Sequence, residues 1–131
     1  MKLSTKGRYG LTIMLDIAEA YREDKFVSLN EISERENISL KYLEKIMTSL
    51  KKYDFFITSR GSTGGYKLKY SPDHYKIGDI IKASEEEVDI VSCLGDNDCP
   101  KKGMCRTYPL WKGLSDEIND YLNSKTLDDY L

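Results

Sequence analysis

Residues 28–52, "SLNEISERENISLKYLEKIMTSLKK", hold two short helical patterns with almost no chain between them. Ser28 followed by Glu31 has the form of a capping box, in which the two residues satisfy free backbone donors at a helix start. Leu29 and Ile32 give this first helix a narrow apolar face. Asn37 is a natural stop, since Asn tolerates the left-handed conformation, and Ser39 can cap a second helix at once. In that second helix Leu40, Leu43, Ile46, Met47 and Leu50 fall on one face, and Lys41, Glu44, Lys45, Thr48 and Lys52 on the other. Two helices head to tail around a tight turn outline a helix-turn-helix, although a small helical bundle gives the same pattern.

The next stretch separates these readings. "FFITSRGSTGGYKLKY" (55–70) reads as strand, glycine-rich tip and strand, with Tyr66, Leu68 and Tyr70 alternating with Lys67 and Lys69. Gly61, Gly64 and Gly65 permit a tight hairpin tip, and Arg60 stands at its base. A hairpin directly after a helix-turn-helix is the wing of a winged helix. That geometry sets a helix in the major groove of DNA and an arginine-bearing loop towards the minor groove. No Walker lysine accompanies the glycines, so a nucleotide site is discounted.

The charge distribution points the same way. Net charge is −2. Residues 1–82 nevertheless carry 15 Lys or Arg against 11 Asp or Glu, whereas 83–131 carry 5 against 11. Between 41 and 69 the balance is 7 basic to 2 acidic, a footprint for a polyanion if it is more than a solvated charged face. The chain has no apolar run of about 18 residues that could span a bilayer. Its start, "MKLSTKGRYG", lacks the apolar stretch of a secretory leader, so a cytoplasmic location without membrane attachment is expected.

Around this head lie three further segments. Residues 5–21 form an amphipathic helix with Leu11, Met14, Leu15 and Ala18 at helical spacing. "SPDHY" is a turn, "KIGDIIKASEEE" a short helix running into acids 85–87, and Pro109 opens a last helix. There Trp111, Leu114, Ile118 and Tyr121 recur at spacings of three, four and three, the seam of a helix that pairs with another helix. No partner helix is evident within the chain, so a homodimer is expected; packing on its own domain is the alternative. The expected fold is mainly α with a small β-hairpin. Residues 1–82 are expected to form a winged helix-turn-helix DNA-binding domain, 83–108 a cysteine-bearing loop, read below as cluster-binding, and 109–131 a dimerisation helix and tail.

All three cysteines fall in one polar loop, "SCLGDNDCPKKGMC", as Cys93, Cys99 and Cys105. Thiols stay reduced in the cytoplasm, and an odd number argues for metal or redox chemistry. Zinc knuckles place cysteines two to four residues apart. Spacings of six suit a loop wrapped around a larger iron–sulfur cluster, with Lys101, Lys102 and Arg106 offsetting its charge. Free thiols and a redox disulfide are the bland alternatives. The only histidine, His74, lies in the turn after the wing and reads as solvated.

These segments together resemble the Rrf2 family of bacterial winged-helix regulators, and most of all its iron–sulfur, IscR-like branch. The likeness is carried by "KLSTKGRYGLTIMLDIA", "ISERENISLKYLEKIMTSLKK", "SRGSTGGYKL", the three cysteines and "LWKGLSDEINDYLNSKTLDDYL", nearly the whole chain in family order. The resemblance implies a dimer that reads a roughly palindromic double-stranded operator, with the cysteine loop holding a cluster near the dimer helix. Carried over by position, Cys93, Cys99 and Cys105 match the cluster cysteines, 2Fe–2S favoured over 4Fe–4S. Ser39, Tyr42 and Glu44 match DNA-facing positions, and Arg60 the wing arginine. Lys41 and Lys45 stand where the branch carries small or amide side chains; with Thr48 they complete the expected reading face. Tyr108 stands where members often have a histidine three residues after the last cysteine, which leaves the fourth cluster ligand open. The expected function is a transcriptional regulator whose operator binding responds to the cluster, controlling iron–sulfur assembly, cysteine or iron genes. The rivals are a regulator answering to a protein partner or thiol redox state, and a small electron carrier. No nucleophile–base pair suggests an enzyme.

Overall fold

A computed structural model describes residues 3–84 and 103–131. Among these residues are five α-helices and one antiparallel hairpin: α1 (Thr5–Glu19), α2 (Leu29–Glu36), α3 (Leu40–Leu50), β1 (Phe56–Ser59), β2 (Gly65–Leu68), α4 (Ile77–Ser84) and α5 (Tyr108–Ser124). Short 3-10 turns at Tyr21–Glu23, Pro72–His74 and Leu127–Tyr130 join or finish them. The winged helix-turn-helix expected from the sequence is the fold observed.

The two expected caps form: Ser28 Oγ accepts from Glu31 N–H at 3.2 Å and Ser39 Oγ from Tyr42 N–H at 3.2 Å, and the structure adds a third, Ser4 Oγ accepting from Gly7 N–H at 3.1 Å. Each bond satisfies a backbone donor that the helix leaves free in its first turn. The Glu31 carboxylate does not complete the box at Ser28; it lies 3.9 Å from Arg35, one helical turn on. Asn37 ends α2 at φ 53°, the left-handed conformation that lets the chain reverse into α3.

The core forms where α1, α3 and α4 meet. Leu43, Ile46, Met47 and Leu50 of α3 are buried, as their spacing requires. Leu40 is not; at the first helical position it lies past the packed layer and is partly exposed. On α1 the fully buried side chains are Ile13, Met14 and Ile17, with Ala18 beside them, while Leu11 and Leu15 are only half-buried. The expected stripe was displaced because α1 packs on α4, α3 and β2 from different directions. Its crossing with α4 is close: a Cβ on Gly10 would lie 2.1 Å from Ser84 Oγ.

The wing pairs Phe56 with Leu68 at its foot and Ser59 with Gly65 near its tip. Tyr70, expected to continue the strand, lies beyond its end and is exposed. An isolated bridge adds Val27, whose N–H and C=O both bond Tyr66 at 2.8 Å. This bridge explains Gly65, which adopts φ 146° and would put a Cβ 2.2 Å from the Val27 carbonyl oxygen.

The C-terminal segment returns to the head. Ile77 N–H donates to Lys125 O at 2.9 Å and Leu127 N–H to Tyr75 O at 3.1 Å. Leu127 is 0 % exposed and joins the same core cluster as Ile13 and Leu43. The helix α5 crosses α4 closely enough that a Cβ on Gly78 would meet Asn123 Oδ1 at 2.1 Å.

Candidate nucleic-acid interface and cysteine segment

The buried row of α3 turns its opposite face outwards. Lys41, Glu44, Lys45 and Thr48 are exposed, and Ser39 stands at the head of the same helix as its cap. Among the described residues Lys41, Glu44 and Lys45 form no ion pair, so their charges are available to a ligand. The Thr48 hydroxyl donates to Glu44 O at 2.9 Å, which ties it to its own helix. Tyr42 is half-buried, with its ring edge-on to Tyr9 of α1 at 5.8 Å between centroids. Tyr9 thereby restricts the direction of a predicted DNA-facing side chain.

Arg60 follows the last paired residue of β1 and precedes Gly61, whose φ of 100° lets the tip turn. The guanidinium is exposed and forms no ion pair among the described residues. Wing and helix are held in mutual register. Lys51, at the end of α3, lies 5.8 Å from the Tyr66 ring centroid, and a cleft of about 180 Å³ joins Glu44, Thr48 and Lys51 to Leu29 and Tyr66. So the structure brings Glu44 and Thr48 together with the wing, while Lys41 and Lys45, on the same outward face, do not line this cleft.

Sequence reading missed three supporting contacts. Arg35 of α2 donates from Nε to Asp16 Oδ2 at 3.2 Å, and its Nη2 also bonds Asp16 Oδ1. The Asp16 side chain is only 4 % exposed, so this bidentate pair fixes α2 on α1 with one carboxylate almost dry. Tyr75, buried beneath the wing's foot, donates to Phe55 O at 2.7 Å and accepts from Tyr70 N–H at 3.0 Å. The third is the Tyr9–Tyr42 pair. All three join residues distant along the chain, and none leaves a local pattern.

Of the cysteines, Cys93 and Cys99 lie outside the described residues, as do Lys101 and Lys102. Cys105 is half-buried, three residues before α5 begins, with its Sγ 3.3 Å from Thr107 Oγ1. Tyr108 is the first residue of α5, and its N–H reaches Cys105 O at 3.4 Å. Pro109 occupies the first turn, as expected. His74 is exposed beside Tyr70, with 4.4 Å between ring centroids. No group of three His, Cys, Asp or Glu residues suited to a metal occurs among the described residues. The donor set of the whole chain, three cysteines within one polar stretch of sequence, fits an iron–sulfur cluster in kind and leaves its fourth position unassigned.

Among the described residues nothing covers the outer face of α5. Leu110 is 61 % and Tyr121 60 % exposed, Leu114 is exposed, and Trp111 and Ile118 are half-buried. Ser115 and Leu122 face inwards instead. Among the described residues no helix is long and apolar enough to cross a membrane.

Comparison with known proteins agrees with this geometry. The model of the Rrf2 family, described as "Iron-dependent Transcriptional regulator", matches residues 3–131. The HTH-type transcriptional regulator IscR of Pectobacterium carotovorum is 43 % identical over 129 residues, 98 % of this chain and 78 % of that protein. IscR of Vibrio campbellii is 42 % identical over 131 residues, 100 % of this chain and 77 % of its own. Among solved structures, CymR, the global cysteine regulator of B. subtilis, superimposes with a TM-score of 0.80 at 37 % identity, covering 99 % of this chain and 95 % of that one. T. potens IscR gives 0.80 at 35 % identity, covering 99 % and 85 %.

Proposed function

We propose that this chain, which belongs to the Rrf2 family of transcriptional regulators, binds operator DNA as a homodimer whose affinity responds to an iron–sulfur cluster held by Cys93, Cys99 and Cys105. The observation that carries the reading is the pairing of an outward, uncompensated row on α3 with an unpaired arginine at the wing tip. On this reading Ser39, Lys41, Tyr42, Glu44, Lys45 and Thr48 meet the major groove and its edges. Glu44 accepts from a cytosine amine and repels other bases, the lysines hold phosphates, and Arg60 enters the minor groove.

Two supports bear on the sensing half. Relatives named IscR align over nearly the whole chain, and three soft thiols fall within one short stretch of sequence. When bound, the cluster supplies redox sensitivity, 2Fe–2S being favoured over 4Fe–4S. The residues' own part is to place that sensor next to α5, since Cys105 lies three residues before the helix. The exposed stripe of α5 is the surface expected to meet a second copy, with Leu110, Leu114 and Tyr121 removed from water. On this reading the target genes serve iron–sulfur assembly, cysteine or iron metabolism; the description of the family as iron-dependent and the cysteine regulator among the neighbours support it. The same chain length also superimposes on a cysteine regulator, and Tyr108 replaces the histidine expected after the last cysteine. These two features keep a second reading in view, control by thiol state or a protein partner without a cluster.

Reconstitution with ferrous iron and sulfide under argon, followed by fluorescence anisotropy on duplexes from its own promoter region, tests both halves. A brown protein whose operator affinity changes on cluster loss, with Cys93→Ser, Cys99→Ser and Cys105→Ser each colourless, supports the proposal. Operator binding by a protein that stays colourless favours the thiol or partner reading. A coloured protein that ignores every duplex indicates an electron carrier and refutes the regulator.

A further inference from the structure

Past the end of α3 the chain builds a second basic feature that local pattern does not announce. Lys6 of α1, Ser49 in the last turn of α3, Lys52 and Tyr53 just beyond it, and Lys82 and Ser84 of α4 line one cavity of about 280 Å³. Among the described residues no acidic side chain lines it. Lys25, Lys67, Lys69 and Lys112 are each matched to a carboxylate. Lys6, Lys52 and Lys82 form no ion pair among the described residues, and the hydroxyls of Ser49 and Tyr53 have no bonding partner there. A space of this volume is about 7 Å across, less than the Debye length of about 10 Å at 0.1 M salt. Three lysines that line one space of this size act together on an anion held in it.

The position of this cavity identifies the anion. Lys41, Lys45 and Thr48 follow one row along α3 at spacings of four and three, and Lys52 lies two residues past the end of the helix. At 1.5 Å per residue, α3 itself runs about 15 Å from Leu40 to Leu50. The major groove is about 12 Å wide, so a helix that contacts base edges with its first turns carries Lys52 to the groove's rim. Backbone phosphates lie at that rim.

We propose that Lys6, Lys52 and Lys82, with the hydroxyls of Ser49 and Tyr53, form a clamp for a phosphodiester oxyanion of the operator backbone flanking the groove that α3 reads. The inference rests on the DNA-binding reading above and extends it to α1 and α4. The clamp contributes affinity without sequence preference, because a phosphate is the same at every base pair. It also ties α4, the helix from which the chain enters the cysteine segment, to the nucleic acid.

The test uses the full chain and Lys82→Gln, a substitution at an exposed residue outside α3 and the wing, with Lys112→Gln as a distant control. Anisotropy on an operator duplex and on an unrelated duplex is measured between 50 and 200 mM salt, conditions over which phosphate contacts are resolved. Removing one phosphate contact flattens the plot of log K against log salt by about 0.9 per protomer and weakens binding about eightfold at 0.1 M salt. Both duplexes lose affinity equally, so their ratio is unchanged, while Lys112→Gln behaves as the parent. An unchanged slope and affinity in Lys82→Gln, with the parent binding normally, overturns the clamp alone. Loss confined to the operator duplex also overturns it, by making Lys82 a reader of bases. Inorganic phosphate titrated without DNA supplies a second arm: saturating amide shifts at Ser49 and Lys82 below about 1 mM, tighter than the weak non-specific hold of one phosphate group, identify a small-anion site and overturn the assignment to the backbone. If the parent binds no duplex at all, the DNA-binding reading itself fails.

Discussion

Leu127→Ala probes whether the segment after α5 is bound into the reading head. The side chain is fully buried in the cluster that includes α1 and α3, and its backbone N–H bonds Tyr75 O at 3.1 Å. Truncation removes three carbons, worth about 2.4 kcal/mol in transfer free energy at about 0.8 kcal/mol per methylene. A cavity term adds to this where the walls cannot collapse, giving a total of about 3 kcal/mol. These walls belong to helices pinned by Gly10–Ser84 and Gly78–Asn123 contacts, so little collapse is available. For a chain of this length the melting temperature falls by about 10 °C. Urea denaturation followed by circular dichroism measures the free energy directly, with Tyr130→Ala, an exposed neighbour on the same turn, as the control. A midpoint within error of the parent at unchanged m would refute the packing. It would also remove the mechanical link by which the setting of α5 reaches the head.

Three other substitutions bear on separate parts of the structure. Gly65→Ala places a side chain at φ 146° and against the Val27 carbonyl, and is expected to cost at least about 2 kcal/mol; unaltered hydrogen-exchange protection at Val27 and Tyr66 would contradict the bridge. Tyr75→Phe leaves Phe55 O and Tyr70 N–H without their partner, an expected loss of about 1–3 kcal/mol in chemical denaturation. Burial pushes the Tyr75 phenol up, so its neutral form is favoured in the fold. Stability from this group is full below the ordinary phenol range, about pH 10, and falls as pH rises beyond it, a loss that the Phe variant lacks. Arg60→Ala is expected to lower operator affinity by about 1–3 kcal/mol in anisotropy, with unchanged affinity counting against the wing as a contact.

Local sequence determined the elements that depend on neighbours in the chain. Ser28, Asn37 and Ser39 set the boundaries of the helix-turn-helix because capping and left-handed φ are decided within three or four residues. The wing was legible from glycines flanked by alternating residues, since a hairpin closes on itself. The same locality made the outward face of α3 visible: once Leu43, Ile46, Met47 and Leu50 point inwards, helical period sends Lys41, Glu44, Lys45 and Thr48 outwards.

Tertiary structure decided what depends on meetings between distant segments. One helical period cannot say that α1 is covered from several sides, so Ile13 and Ile17 displaced Leu11 and Leu15 from the expected core. Nothing near Leu127 marks it as more apolar than Leu131, yet one is fully buried and the other exposed, because only the backbone pairing beside Tyr75 carries it inwards. Likewise Lys6, Lys52 and Lys82 are ordinary surface lysines along the chain, and become one basic cavity only where α1, α3 and α4 converge. Periodicity and capping are short-range interactions written in order. Burial and charge clustering are sums over neighbours that the chain acquires only by folding.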